Sequence, residues 1–117
     1  MPRGIKTRNT GRWTEAYFWG QFRSCLRKMS MYWRTGEDYL FSIRRANTGT
    51  GRHRFEYPCE MCGQWFDRKQ IELDHKVPVG SLKCVEDLPG FFTRLFVEID
   101  GWQSLCHECH QKKTHGE

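Results

Sequence analysis

The stretch CEMCG, residues 59–63, decides the fold because its cysteine spacing has a counterpart later in the chain. A second pair with the same spacing, CHEC, occupies residues 106–109. Two residues between cysteines let both sulfurs turn toward one point, and two such pairs complete the tetrahedral thiolate shell that Zn²⁺ favours. Gly63 supplies the tight bend that this turn needs. The sequence therefore predicts a structural zinc ion held by Cys59, Cys62, Cys106 and Cys109.

The size of the chain favours such a metal staple. It has 117 residues, 38% of them hydrophobic, and a mean hydropathy of -0.78, which predicts one small domain or a small domain with an arm. No run of 18 apolar residues is present, and the first residues lack the apolar region of a secretory signal, so we expect a cytosolic protein without membrane contact. Two disulfides or four buried thiols are the competing interpretations of the cysteines, and a reducing compartment disfavours the disulfides.

Charge is distributed unevenly between the two halves of the chain. Residues 1–55 carry 12 Lys and Arg against 3 Asp and Glu, whereas residues 56–117 carry 7 against 11. This asymmetry predicts an arm that binds a polyanion, joined to a site that gathers cations. The basic, glycine-rich stretch NTGTGRHR, residues 47–54, is the expected boundary. We therefore predict a basic helical arm over residues 1–54 and a second domain over residues 55–117.

Apolar spacing predicts mixed secondary structure. In the arm, a helix capped by Thr14 and ended by Gly36 precedes a shorter helix in EDYLFSIRRA. The apolar stripe of the first helix comprises Phe18, Phe22, Cys25, Met29 and Trp33. In the second half, FEYP, QWF, IELDH and WQSL predict short strands, with helices after Pro89 and in CHECHQKKTH. The expected fold class is α+β.

The stretch IELDHKVP, residues 71–78, places an acid and a histidine at the end of an alternating apolar run. Asp74 and His75 are either an ordinary strand end or a metal ligand and a base. Adjacent helical residues point about 100° apart, so if Cys109 faces zinc, His110 can face the strand that carries Asp74. An Asp74 oxygen and a His110 nitrogen would form a half-open site for Mg²⁺ or Mn²⁺, with waters completing the shell.

These motifs carry a family resemblance. LDHKVP followed by LCHECHQKKT resembles the HNH nucleases with their ββα-metal (His-Me finger) core, and CEMCG with CHEC resembles the zinc-bearing branch of that family. The whole sequence is similar to small HNH proteins encoded by tailed bacteriophages. The resemblance implies a zinc-stapled ββα-metal core behind an N-terminal basic helical arm, and a metal-dependent endonuclease that nicks or cuts DNA.

The resemblance also implies a role for each matching residue. His75 would be the general base that takes a proton from water, while Asp74 and His110 would hold the divalent metal against the scissile phosphate. One position departs from the pattern, because Gly101 stands where the family usually has an asparagine. Asp100 and Gln103 are the candidates to replace that amide, and weakened or lost catalysis is the expected consequence if neither does.

The basic residues give the expected substrate contacts. A solvated basic face is the alternative for any single residue, but a basic arm attached to a nuclease-like site favours DNA. The predicted nucleic-acid-binding residues are Arg44, Arg45, Arg52, Arg54, Lys112 and Lys113, extended by Lys6, Arg8 and Arg12. Phage or host proteins are further possible partners. Two rival hypotheses stay open: a zinc module that binds nucleic acid or protein without catalysis, and a nuclease that resolves branched DNA.

Overall fold

The computed structural model describes residues 4–49, 51 and 54–115, the last of these for its backbone only. Within these residues helices and short strands are mixed, which confirms the α+β class. The helices are α1 (Glu15–Ser30), α2 (Thr35–Ile43), α3 (Leu88–Leu95) and α4 (His107–His115). The strands are β1 (Lys6–Arg8), β2 (Trp13–Thr14), β3 (Arg45–Ala46), β4 (Phe55–Pro58), β5 (Trp65–Phe66), β6 (Ile71–His75) and β7 (Trp102–Cys106). No helix in the described part of the chain combines the length and apolarity needed to cross a bilayer.

Backbone contacts divide the chain into two compact units. The first comprises residues 1–33 and 77–96, and the second comprises residues 34–76 and 97–117. The stretch 47–54 connects β3 to β4, which pair antiparallel inside the second unit. The boundaries between the two units thus fall after residues 33, 76 and 96, and none falls between residues 54 and 55. The division into a basic arm and a nuclease domain stays a prediction.

The first unit is built on α1. The Thr14 hydroxyl caps this helix by accepting a hydrogen bond from the Tyr17 amide at 3.0 Å, as its sequence position indicated. The buried cluster of this unit comprises Trp19, Leu26, Val79, Leu82, Phe91 and Leu95.

The predicted apolar stripe of α1 is wrong in part. Cys25 is exposed, and Met29 is 57% exposed. The buried face instead contains Trp19 and Leu26, spaced seven residues apart, with Phe22 half-buried between them. Both sets of positions fit helical periodicity, and the choice between them depends on which side α3 and the segment around Val79 cover.

The second unit contains an antiparallel pair of strands followed directly by a helix. β6 pairs with β7 over five positions, from Ile71 opposite Cys106 to His75 opposite Trp102, and α4 begins at the next residue. Its buried cluster comprises Tyr39, Leu40, Cys59, Ile71, Leu105, Cys106 and Cys109. Three of the four predicted zinc ligands therefore lie inside the core of this unit.

The sequence predicts that Gly36 ends the first helix, and this prediction is wrong. Gly36 lies in the first turn of α2. α1 ends at Ser30. A Cβ atom at Gly36 would lie 2.9 Å from Leu73 Cδ1 and 3.3 Å from the Trp102 ring. The glycine is thus explained by the close approach of α2 to the β6–β7 pair, which is a tertiary contact that local sequence does not reveal.

Candidate metal site and the acidic strand beside it

The four paired cysteines converge on one point. Their Sγ atoms all lie within 4.8 Å of one another, with three of the four side chains buried and Cys62 exposed. Four sulfurs each ~2.3 Å from one ion lie ~3.8 Å apart, so this cluster is positioned to hold a metal ion. Within the described residues, it is the one group of three or more His, Cys, Asp or Glu side chains that could share an ion. The donor set is that of structural zinc sites.

Backbone geometry shapes the first cysteine pair. The Gly63 amide donates to the Cys59 carbonyl oxygen at 2.8 Å, and the Cys59 amide donates to the Gln64 carbonyl oxygen at 2.8 Å. Gly63 has φ +77°, a left-handed conformation that favours glycine. The Cys62 amide lies 3.5 Å from Cys59 Sγ, and an equivalent contact joins Cys109 to Cys106. In each cysteine pair an N–H dipole therefore points at a sulfur, which stabilises the thiolate.

The thiols of the cluster have very different proton affinities. Burial alone would raise the pKa of Cys59, but N–H groups of Cys62, Cys106 and Met61 outweigh it and lower the pKa to about 6. Burial, together with the neighbouring thiols, raises the pKa of Cys109 to about 12. One thiolate forms readily here, whereas formation of a second is unfavourable because the two negative charges repel each other. A bound cation would offset that repulsion and favour the thiolates.

Asp74 and His110 lie close together. Glu72 and Asp74 alternate along β6 and share a face, and α4 packs against it. His110 Nε2 lies 3.6 Å from Asp74 Oδ1, and His110 Nδ1 lies 3.4 Å from Glu72 Oε1. The imidazole thus lies between two carboxylates. Glu72 was missing from the sequence prediction, although its i,i+2 spacing from Asp74 was the signal that could have found it.

The second Asp74 oxygen is already engaged. The Gln103 amide donates to Asp74 Oδ2 at 2.9 Å, and the Lys113 ammonium contacts the same oxygen and donates to the His75 carbonyl oxygen at 2.9 Å. Burial would raise the pKa of the Asp74 carboxyl, but the hydrogen bonds from Lys113 and Gln103 outweigh it and hold the pKa below its ordinary value. Asp74 is therefore kept ionised, with Oδ1 directed at His110.

His107, the first residue of α4, contacts the same acidic strand, β6. Its Nδ1 contacts Glu72 Oε2, and its Nε2 lies 3.1 Å from the Lys69 carbonyl oxygen. The hydrogen bond to Glu72 raises the pKa of His107 above its ordinary value. Glu72 therefore contacts two histidines of α4, one through each oxygen, and ties the first turn of the helix to β6.

The His75 ring points to the opposite face of the strand pair from Asp74. Its centroid lies 4.3 Å from that of Trp102, its partner across the strands, with the planes inclined by 38°. Strand alternation explains this placement, since adjacent residues point to opposite faces. Asp74 and His110 are thus brought together, whereas the His75 side chain is not beside them, and its role as base stays a prediction.

Gly101 lies where only a glycine fits. A Cβ atom there would come within 2.4 Å of Val97 Cβ, so an asparagine side chain has no room. The Gly101 carbonyl oxygen accepts a hydrogen bond from the Lys76 amide at 2.9 Å, which ties the end of β6 to this turn. Of the two residues considered as replacements for the asparagine of the HNH pattern, Gln103 donates its amide N–H to Asp74 Oδ2. That this contact replaces the one made by the asparagine stays a prediction.

Gly101→Ala is expected to lower the free energy of unfolding by about 1–3 kcal/mol, because Val97 must move to admit the methyl group. Thermal unfolding measures the effect. Gly20→Ala is the matched control: nothing lies within 4 Å of its added Cβ, and alanine in a helix interior should stabilise by ~0.5–1 kcal/mol. Equal melting temperatures for Gly101→Ala and the wild type would contradict the close approach.

The predicted DNA-binding residues have varied surroundings. The Arg44 guanidinium lies 4.1 Å from the Phe41 ring centroid and 3.6 Å from that of Phe55. Arg45 lies over Trp65 at 3.9 Å and pairs with Glu56 at 3.0 Å. Arg54 and Lys112 are exposed, Lys113 contacts Asp74, and Arg52 lies outside the described residues. These contacts do not test binding to DNA, which stays a prediction for all six residues.

Comparison with protein-family models, with curated proteins and with solved structures found no match. The geometry itself therefore defines the kind of site: a four-cysteine metal position next to a strand and a helix that share a carboxylate–imidazole pair. What that pair does is a matter of proposal.

Proposed function

We propose that the second unit is a zinc-stapled endonuclease of the HNH type that hydrolyses DNA phosphodiester bonds with the help of a divalent metal. The observation that supports this most directly is the 3.6 Å separation of Asp74 Oδ1 and His110 Nε2. The supporting context is the order of elements, in which two antiparallel strands lead directly into a helix and the cysteine cluster joins the strand and the helix to the first cysteine loop.

The Asp74–His110 pair fits a second, partly water-filled metal position. Two ligand atoms each ~2.1 Å from one ion lie ~3 to ~4 Å apart, depending on the angle between the bonds. Carboxylate oxygen and imidazole nitrogen together suit Mg²⁺ or Mn²⁺, with water and phosphate oxygens completing the shell. When bound, such an ion stabilises negative charge on the phosphate and on the leaving oxygen. Zn²⁺ at the four cysteines would be structural, because four thiolates leave no open coordination position.

The residues around the pair prepare its two ligand atoms. Glu72 can accept a hydrogen bond from His110 Nδ1–H, which leaves the Nε2 lone pair directed at Asp74. A carboxylate that fixes the tautomer in this way is a common partner of a metal-binding histidine. Gln103 and Lys113 bind Asp74 Oδ2 and so leave Oδ1 for the ion.

His75 is the proposed base. β6 ends at this residue, and the chain bends immediately afterwards, so a phosphate at the strand end can be approached from both faces. The Asp74 carboxylate would approach the phosphate from one face of the strand pair, and the His75 imidazole would approach it from the other. Neutral imidazole accepts a proton from water near physiological pH, and the resulting hydroxide would attack phosphorus. Lys112, exposed on α4, is the residue proposed to contact a neighbouring phosphate.

Nicking of supercoiled plasmid tests this function. The zinc-loaded chain is expected to nick in the presence of Mg²⁺ or Mn²⁺, and His75→Ala is expected to lose this activity because no base remains. Val77→Ala, an exposed change two residues away, is the matched control and should nick like the wild type. Nicking by His75→Ala at the wild-type rate would refute the proposed base. Four-way junctions alongside linear duplex separate a branched-DNA enzyme from a general one.

A non-catalytic zinc module is the second candidate, and two contacts favour it. The Lys113 ammonium already neutralises Asp74, and the His75 ring stacks on Trp102. If this candidate is correct, the wild type and His75→Ala bind DNA equally and neither nicks it under any divalent metal.

A further inference from the structure

The first unit contains a cavity at the start of α1. It has a volume of about 310 Å³ and is lined by Lys6, Arg12, Trp13, Thr14 and Tyr17. Such a volume lies at the lower end of ligand-binding cavities, which suits one small planar group with its attached phosphate.

A short hairpin builds one wall of this cavity. Asn9, Thr10 and Gly11 have positive φ values of 56°, 51° and 77°, which turns the chain sharply between β1 and β2. The Arg12 amide donates to the Arg8 carbonyl oxygen at 3.0 Å and so closes the turn. Lys6, on β1, and Arg12, at the end of the turn, thereby line the same cavity.

The cavity carries positive charge without a compensating acid. Glu15, the nearest acid in sequence, is bound by Arg8 at 2.6 Å and by the Thr7 hydroxyl at 3.0 Å. Within the described residues, neither Lys6 nor Arg12 forms an ion pair with a carboxylate. The charge on these two side chains is therefore available to an anion.

Two aromatic rings complete the lining. The Trp13 and Tyr17 ring centroids lie 5.0 Å apart with the planes at 72°, and Tyr17 is 49% exposed. The Arg12 guanidinium donates to the Asn9 carbonyl oxygen at 3.2 Å, which is an uncharged partner and leaves its charge uncompensated. An exposed ring beside the Lys6 and Arg12 cations favours a planar, anionic ligand, since bases stack on aromatic side chains and phosphates bind Lys and Arg. An acidic peptide would satisfy the cations but would leave the rings unused.

We propose that this cavity binds an unpaired nucleotide of single-stranded DNA, with the base against Tyr17 and Trp13 and the flanking phosphates on Lys6 and Arg12. This inference rests on the proposed function for the choice of nucleic acid as the ligand. Duplex bases are stacked on each other and cannot enter, so the cavity selects single-stranded or frayed segments.

Fluorescence anisotropy with three short labelled ligands tests the proposal in the 117-residue chain that carries His75→Ala, a change that removes the proposed base. The ligands are single-stranded oligothymidylate, an abasic strand with the same number of phosphates, and a duplex. Tyr17→Ala should weaken oligothymidylate binding about 10-fold and abasic binding less than about 2-fold, because only the former has bases to stack. Tyr17→Phe keeps the ring and should bind like the parent, and circular dichroism verifies folding of each variant.

A charge-removing pair tests the phosphate contacts. The double variant Lys6→Gln/Arg12→Gln should bind both single strands more weakly. The magnitude of the slope of log affinity against log salt should fall by about 1.4, or ~0.7 for each lost contact. The control Arg23→Gln/Lys28→Gln removes the same charge from exposed positions of α1 and should leave the slope within about 0.5 of the parent value. Equal losses in the two pairs would overturn the cavity as the site.

Two further outcomes would also overturn the proposal. One is Tyr17→Ala binding all three ligands as the parent does. The other is polyglutamate binding as tightly as oligothymidylate with the same sensitivity to Lys6 and Arg12, which would make the cavity a general anion site. The nuclease proposal is judged separately by plasmid nicking with the wild type. Loss of cavity binding with nicking intact, or the reverse, therefore identifies which of the two proposals fails.

Discussion

Cys106→Ser is expected to abolish metal retention and to unfold the second unit. Cys106 is buried, and three of the four cysteines are members of that unit's hydrophobic cluster. Structural zinc contributes about 10–16 kcal/mol to the folding of small zinc-finger peptides, which equals or exceeds the whole stability of a typical domain, about 5–15 kcal/mol. Loss of one thiolate lowers the affinity of the site for the ion and leaves a hydroxyl group among buried sulfurs. Elemental analysis of purified protein and near-ultraviolet circular dichroism measure the two effects.

The chain supplies its own matched controls for this change. Cys25 and Cys84 are exposed and lie outside the cluster, so Cys25→Ser and Cys84→Ser should retain one zinc per chain and the wild-type spectrum. Removal of metal by a chelator should reproduce the Cys106→Ser spectrum, and added Zn²⁺ should restore the fold of the wild type only. A metal-free wild type that unfolds cooperatively at the same temperature as the loaded protein would disprove the role of the ion.

Much of the second unit was predictable because its signals are local. The C-x2-C spacing fixes how two sulfurs can converge, and alternation in IELDH correctly predicted a strand at residues 71–75. Helical phase after Cys109 allows His110 to face the strand that carries Asp74, and the two side chains lie 3.6 Å apart. Their role as metal ligands stays a prediction. In each case, neighbours in sequence constrain the outcome.

Other features were not predictable because they depend on distant partners. Gly36 reads as a helix end, yet its place in α2 follows from the proximity of Leu73 and Trp102. The contact of the Lys113 ammonium with Asp74 joins residues 39 positions apart, and no local pattern indicates it. The predicted contact of Lys113 with DNA phosphate stays a prediction. The His75 ring stacks on Trp102, a residue that sequence patterns alone place only as part of a strand. The periodicity of a single sequence indicates helices and strands, but it does not specify which side chains from distant parts of the chain contact each other.

His110→Ala is expected to prevent divalent-ion binding beside Asp74 and to lower plasmid nicking by about 1,000-fold. The magnitude follows because a catalytic metal is worth several kcal/mol of transition-state stabilisation, and each ~1.4 kcal/mol is tenfold in rate. Mn²⁺ binding to the zinc-loaded chain, followed by electron paramagnetic resonance, provides a readout independent of cleavage. Because His110 adjoins Cys109, each variant must still contain one zinc per chain for the comparison to hold.

Glu72→Gln discriminates a positioning role from a purely structural one. The amide keeps the size of the side chain but lacks the charge that orients His110 Nδ1, so Mn²⁺ affinity should fall about 10- to 100-fold while zinc content stays unchanged. Glu108→Gln, an exposed change on α4, is the matched control and should leave both quantities unchanged. If Mn²⁺ binds Glu72→Gln and His110→Ala as it binds the wild type, the ion lies elsewhere. The carboxylate–imidazole pair would then serve only to fasten α4 to β6.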